Sequence, residues 1–259
     1  MKIGYDILGN IALLKFNREA SVSVKKKFAL SYLKNHKNVS TVLEKVGKFS
    51  GRLRTLKTRW LAGEKTKEAL YRENGCEFRF NVDTCYFSSR LSEERKDAAS
   101  LVKKNENVLV MFGGVAPFAV IISKLSKAKR IVSVELGREC NKYAKINVKR
   151  NKLDNVEIVQ GDVRKVCLSR DFGAKGFDRI VMARPNLKDS FLDVAFHLVK
   201  KGVIHYYGFC KEDDLEEMKE MVLEEGKKAG RKIRILKVKK AGDIGAYRYR
   251  YRVDLKVLN

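Results

Sequence analysis

Residues 107–125 read NVLVMFGGVAPFAVIISKL, and the reading of this stretch decides the fold. The apolar run Val108-Leu109-Val110-Met111 stops at Gly113-Gly114, and an apolar helix follows to Leu125. A strand, a glycine loop and a helix together form a unit whose small residues let a ligand approach the backbone at the strand's carboxyl end. Working outward, the pattern repeats. Strands are expected over residues 130–134, 156–159, 179–182 and 202–207, with two more over 232–239 and 246–257. Helices are expected over 91–104, 140–151, 188–199 and 213–229. Such alternation gives an α/β fold, a parallel sheet with helices on both faces.

Upstream the pattern differs. Residues 3–16 read as a hairpin turning at Gly9-Asn10, residues 21–46 have a helical period, and residues 76–87 alternate as strands do. A small α/β domain over 1–87 is therefore expected ahead of a larger one over 88–259, packed together because no Pro/Gly/Ser-rich linker separates them. Charge gives the small domain a purpose. The chain carries 56 Lys and Arg against 31 Asp and Glu, and residues 18–72 alone hold 15 against 4. An excess of this kind draws a protein to polyanions, nucleic acid above all, with the run Lys25-Lys26-Lys27 as its densest point.

Other classes are excluded. Five widely spaced cysteines without a Cys-x-x-Cys pair argue against a disulfide framework and a structural zinc site, and suit a reducing cytoplasm. The longest apolar stretch, 108–122, is too short to cross a bilayer. No metal-ligand cluster is visible, and His205, in an apolar strand, reads as a core histidine. A cytoplasmic monomer without a metal or a membrane partner is the expectation.

Two carboxylates sharpen the glycine loop. Glu135 ends the next strand about 20 residues on, where an acid commonly holds two ribose hydroxyls. Asp162 ends the third strand in Gly161-Asp162-Val163, where an acid can accept from an adenine amino group. The full G-x-G-x-x-G of a nicotinamide site is absent. The set looks like an S-adenosylmethionine site.

The run Val110-Met111-Phe112-Gly113-Gly114-Val115-Ala116-Pro117-Phe118 resembles the D-M-F-A-G-V-G-P-F loop of the archaeal and eukaryotic tRNA (guanine-N1)-methyltransferases that modify guanosine 37. Gly51-x-x-Arg54 leading to Leu61-Ala62-Gly63-Glu64 is similar to that family's G-x-x-R…LAGE. Arg72-Glu73-Asn74-Gly75 is similar to KENG, Tyr86 through Arg95 to YFSPRLxxER, and Ile204-His205-Tyr206-Tyr207 to IHYY. The neighbouring wyosine-pathway aminocarboxypropyltransferases share the fold but typically carry G-H-L at Ala116-Pro117-Phe118 and H-Y-H at His205-Tyr206-Tyr207.

The resemblance implies a Rossmann-type class I methyltransferase domain behind a small basic RNA-binding domain, with tRNA as partner. Guanine N1 carries a proton at neutral pH, so its methylation needs a base and a cation for charge moving onto O6. The resemblance assigns these roles to Glu94 and Arg54. It implies cofactor contacts from Tyr86, Arg90, Phe112, Gly114, Glu135, Leu136, Asp162, Val163 and Ala183. Target contacts would come from Arg54, Arg90, Arg184, Pro185 and Asn186. The chain departs from the family at Val110 (aspartate), Ala116 (glycine) and Ala183-Arg184-Pro185 (N-L-P, whose asparagine lies by the target base). Those departures keep two alternatives in view: a wyosine-pathway transferase, and a tRNA-binding relative without activity.

Overall fold

The chain opens on a hairpin, β1 (Gly4–Leu8) and β2 (Ile11–Lys15), turning through Gly9 at φ +60°. A Cβ at Gly9 would lie 1.8 Å from the Leu70 carbonyl oxygen, so only glycine fits there. The computed structural model describes residues 3–17, 19–170, 172 and 176–259. Helix α1 (Val22–Asn35) starts at Ser21, whose hydroxyl accepts from Val24 N at 3.3 Å. The expected helix over 21–46 ends early, because residues 41–45 form a strand, β3 (Thr41–Lys45), parallel to β2. The β-branched Thr41 and Val42, with Leu43, are fully buried between β2 and β4 (Thr58–Gly63), and that burial outweighs the helical period. Lys25 is also buried, with its ammonium 2.7 Å from Glu44 on β3. Only Lys26 and Lys27 of the basic run face outward.

A hairpin that sequence reading found only in part, β5 (Glu68–Glu73) and β6 (Cys76–Asn81), joins the two halves. Leu70 N donates to the Asn10 side chain at 2.7 Å. On the other strand Glu77 N and Arg79 N donate to Asn151 and Asn147 at 2.9 and 2.8 Å.

The larger half is built on β7 (Asn107–Met111), β8 (Arg130–Glu135), β9 (Val156–Gln160), β10 (Phe177–Met182), β11 (Val199–Lys211), β12 (Ile233–Gly245) and β13 (Arg248–Val257). Their order across the sheet is β12-β13-β11-β10-β7-β8-β9. The pairs from β9 to β11 are parallel, whereas β13 runs antiparallel to both β11 and β12, so the sheet is mixed rather than wholly parallel. Alternation along β7 explains the two layers. Val108 and Val110 enter one core with α2 (Ser92–Ser100), α3 (Pro117–Leu125) and α4 (Arg138–Arg150). Leu109 and Met111 enter the other with α5 (Val163–Ser169), α6 (Leu192–Leu198) and α7 (Leu215–Lys228).

Helix α5 was not expected from the sequence, and α6 begins at Leu192 rather than at 188. The latter difference has a cause: the Arg184 guanidinium bonds the carbonyls of Leu187 and Asp189, holding 184–190 as a loop. Among the described residues no helix is long and apolar enough to cross a membrane.

Candidate active site

The β-strand order reverses beside β7, and a cavity of about 600 Å³ opens there at the strands' carboxyl ends. Its floor is the loop after β7. Gly113 presses on β8, since a Cβ there would lie 2.1 Å from the Ser133 hydroxyl. Gly114 instead faces open space, with φ +57° and nothing nearer than 3.9 Å to an added Cβ. Ala116 takes φ +66°, the left-handed turn for which the family carries glycine.

Glu135 stands at the end of β8, tied to this loop. Its Oε2 accepts from Gly114 N at 2.9 Å and its Oε1 from Gly137 N at 2.7 Å. The carboxylate therefore reaches the cavity already oriented, with lone pairs left for a diol. Asp162 caps α5 through Oδ1, which accepts from Arg164 N at 2.9 Å, while Oδ2 pairs with Arg52. Burial opposes ionisation of Asp162, but Arg52 and the two backbone N–H groups outweigh it and hold its pKa below the usual carboxylate range. The Arg52 side chain is 63 % exposed, so this pair is weak and an adenine amino group can replace it. A glycine floor, a preset carboxylate and a second strand-end acid fit a nucleoside cofactor.

The opposite wall comes from the small half. Tyr86 meets Phe49 edge to face at 4.9 Å, and the Arg54 guanidinium lies 4.7 Å from the Tyr86 ring centroid. Arg54 has φ +51° and a buried Nε without a hydrogen-bond partner among the described residues. Arg184, 5 % exposed, also has a buried Nε without a partner among the described residues, and its Nη1 donates to the Tyr206 hydroxyl at 3.2 Å. Burial lowers the Arg184 pKa from its ordinary value. Phe112 packs edge-on against Phe191 at 5.0 Å, and Arg90 pairs with Asp6 at 3.1 Å. Leu136, Val163, Ala183, Pro185 and Asn186 complete the lining. Every residue to which the resemblance gives a catalytic, cofactor or target contact borders this one cavity except Glu94.

Glu94 stands apart from the others. It is 5 % exposed and is not among the residues that line the cavity. Its carboxylate is enclosed by Arg252 Nη1 at 2.6 Å, Lys239 Nζ at 3.0 Å and the Tyr207 hydroxyl, which donates at 2.8 Å. Tyr207 does line the cavity. The chain of bonds runs on: Arg252 Nε pairs with Asp254 at 2.8 Å, and Asp254 Oδ1 lies 2.6 Å from His205 Nδ1. Arg179 Nη1 lies 2.6 Å from His205 Nε2. An arginine only donates, so Nε2 is the acceptor and Nδ1 carries the proton to Asp254. Burial lowers the His205 pKa, in keeping with that neutral ring.

Sequence reading missed Arg252, Lys239 and Arg52, because no local pattern joins them to their partners. Tyr207 was visible only as part of the IHYY segment. Among the described residues no group of three His, Cys, Asp or Glu side chains could hold a metal ion.

Comparison with known proteins gives the family. Residues 69–236 match the TRM5/TYW2 methyltransferase domain, and residues 1–66 match the TYW2 N-terminal domain. The chain is 31 % identical, over 99 % of its length and 100 % of the relative's, to the Nanoarchaeum equitans tRNA (guanine(37)-N(1))/4-demethylwyosine(37)-methyltransferase Taw22. The crystal structure of wild-type Trm5b from Pyrococcus abyssi superposes with a TM-score of 0.86 at 32 % identity, covering 99 % of this chain and 75 % of that one. A complex of aTrm5 with tRNA-Leu gives 0.83 at 26 % identity, covering 99 % and 72 %. With one family domain spanning more than half its length and a cavity built as described, this chain belongs to the TRM5/TYW2 methyltransferase family.

Proposed function

We propose that the protein transfers a methyl group from S-adenosylmethionine to N1 of guanosine 37 in tRNA. One observation carries this reading: Arg54 and Tyr86 from the small half share a single cavity with Gly114, Glu135 and Asp162 from the large half. The cofactor, held by those last three, supplies an electrophilic methyl group. Residues 1–87 hold the RNA, and residues 88–259 carry the transfer. Arg54, whose side chain borders the cavity, takes the charge that moves onto guanine O6.

The proton at N1 leaves toward Glu94 by way of Tyr207. The Tyr207 oxygen accepts the N1 proton as its own hydroxyl proton passes to Glu94 Oε1, 2.8 Å away. One proton enters and one leaves the tyrosine. Arg252 and Lys239 fix the carboxylate for that exchange. A second reading, methylation of a tricyclic wyosine intermediate on the same nucleotide, is favoured by Ala183, which lines the cavity at the position where the resemblance implies an asparagine.

Transfer of labelled methyl to two tRNA transcripts tests the proposal. A transcript with guanosine at position 37 is expected to be labelled, and one with adenosine there is not. Equal labelling of both would refute the assignment of the target.

A further inference from the structure

Strands β12 and β13 run on past the core of the sheet as a hairpin beside the cavity. Gly242, Asp243 and Ile244 of β12, with Arg250 of β13, line the cavity, so the hairpin's outer end is part of its rim. Tyr247 sits in the connection at that end. It is 81 % exposed, the most exposed of the large apolar side chains among the described residues. Its backbone is left-handed, φ +54°, a conformation uncommon for a bulky aromatic residue. The hairpin thus holds the ring in solvent, about 10 Å of chain from Ile244 at the rim.

Cations gather around Tyr247. Arg248 lies directly opposite Lys211 across the β11–β13 pair, both exposed and neither in an ion pair among the described residues. Like charges facing each other across strands are destabilising unless something negative lies between them. Arg250, next but one along the strand, is stacked on Phe209 at 5.1 Å and has no carboxylate partner among the described residues. Among the described residues the acids Glu212 and Asp243 form no ion pair with any of the three. Lys240 covers the Tyr249 ring at 3.1 Å, which leaves Tyr247 as the uncovered aromatic face at this end.

We infer that this hairpin end is a docking surface for single-stranded RNA. Tyr247 stacks on a base flanking the target nucleotide, and Arg248 and Lys211 take an adjoining phosphate. An exposed ring beside unpaired cations, at the mouth of a cavity that receives one nucleotide, is the arrangement that holds single strands without reading sequence. The inference rests on the proposed action on tRNA and adds the surface that grips the loop around the target.

The test uses the whole protein and a tRNA transcript. Tyr247→Ala should weaken tRNA binding about tenfold, whereas Tyr247→Trp keeps wild-type affinity. Arg248→Ala should lower the salt slope of binding by about 0.7, and Tyr247→Ala should leave that slope unchanged. Replacing Tyr247 by p-azidophenylalanine should give a photo-crosslink within two nucleotides of position 37. Calorimetric affinity for S-adenosylmethionine and melting temperature should not move, which separates lost docking from lost folding. Wild-type binding in Tyr247→Ala, or crosslinks confined to distant nucleotides, would overturn the docking surface and leave the methyltransferase reading standing. A wild-type protein that binds no tRNA would overturn both. A dimer of the wild type that Tyr247→Ala dissociates would assign the surface to a second copy of the chain, and so overturn RNA as its occupant.

Discussion

Replacing Tyr207 with phenylalanine removes one oxygen atom and leaves the ring, which packs 5.7 Å from Phe118, in place. What is lost is the hydrogen bond to Glu94 at 2.8 Å. A bond to a charged acceptor is worth about 1.5–3 kcal/mol. Glu94 keeps Arg252 at 2.6 Å and Lys239 at 3.0 Å, so the cost falls at the lower end. At roughly 2–4 °C per kcal/mol for a chain of this size, the melting temperature should drop by about 3–6 °C. The rate should suffer far more. Interrupting a positioned proton transfer lowers a rate by about 10²–10⁴-fold, or about 2.7–5.4 kcal/mol on the barrier. Single-turnover transfer with enzyme in excess over tRNA measures that step, and calorimetry should show an unchanged affinity for S-adenosylmethionine. If Tyr207→Phe transfers methyl at close to the wild-type rate, the proton does not pass through Tyr207.

Four further outcomes are expected. Glu135→Ala should weaken S-adenosylmethionine binding at least tenfold in calorimetry, through two lost bonds of about 1.5–3 kcal/mol each; unchanged affinity would remove Glu135 from the site. Lys26→Ala with Lys27→Ala should lower the salt slope of tRNA binding by up to about 1.8, and an unaltered slope means that α1 faces solvent in the complex. Ala116→Gly should raise stability by about 1 kcal/mol, because glycine adopts φ +66° without steric cost; a lower denaturation midpoint would contradict this. Acid should destabilise the protein. Burial depresses the His205 pKa, and the bonds from His205 and Arg252 to Asp254 outweigh burial and depress that carboxyl too. Groups depressed in the folded state bind more protons when unfolded, so their stabilisation is complete above the unfolded pKa and is lost as pH falls. The melting temperature should decline from about pH 6.5, where an unfolded histidine titrates, and again below about pH 4. A midpoint that rises between pH 7 and pH 5 would contradict the buried neutral histidine.

The parts of the candidate site that can be read in the sequence are those set by local pattern. Glu135 and Asp162 each end a strand and begin a turn, and the glycine loop interrupts an apolar run, so short windows reveal them. Glu94 shows the limit. Its neighbours in sequence, Glu93 and Arg95, make it look like a helix surface residue, yet its partners come from β11, β12 and β13. Lys25 misleads in the same way: within a basic run it looks solvated, but it lies on the inner side of α1 with Ala29 and Tyr32 and pairs with Glu44. Residues 41–45 satisfied a helical period, and only their burial between two strands made them β. The strand ends and the fold class are local properties; the surroundings of a buried charge depend on which distant strands the topology brings together.

The central claim is methyl transfer to one atom of one nucleotide. Unmodified tRNA incubated with the protein and S-adenosylmethionine, then digested to nucleosides and mapped by mass, tests it most directly. The account predicts N1-methylguanosine at position 37 and at no other guanosine. A protein that binds the tRNA and leaves guanosine 37 unmodified, or that adds an aminocarboxypropyl group instead of methyl, would contradict it.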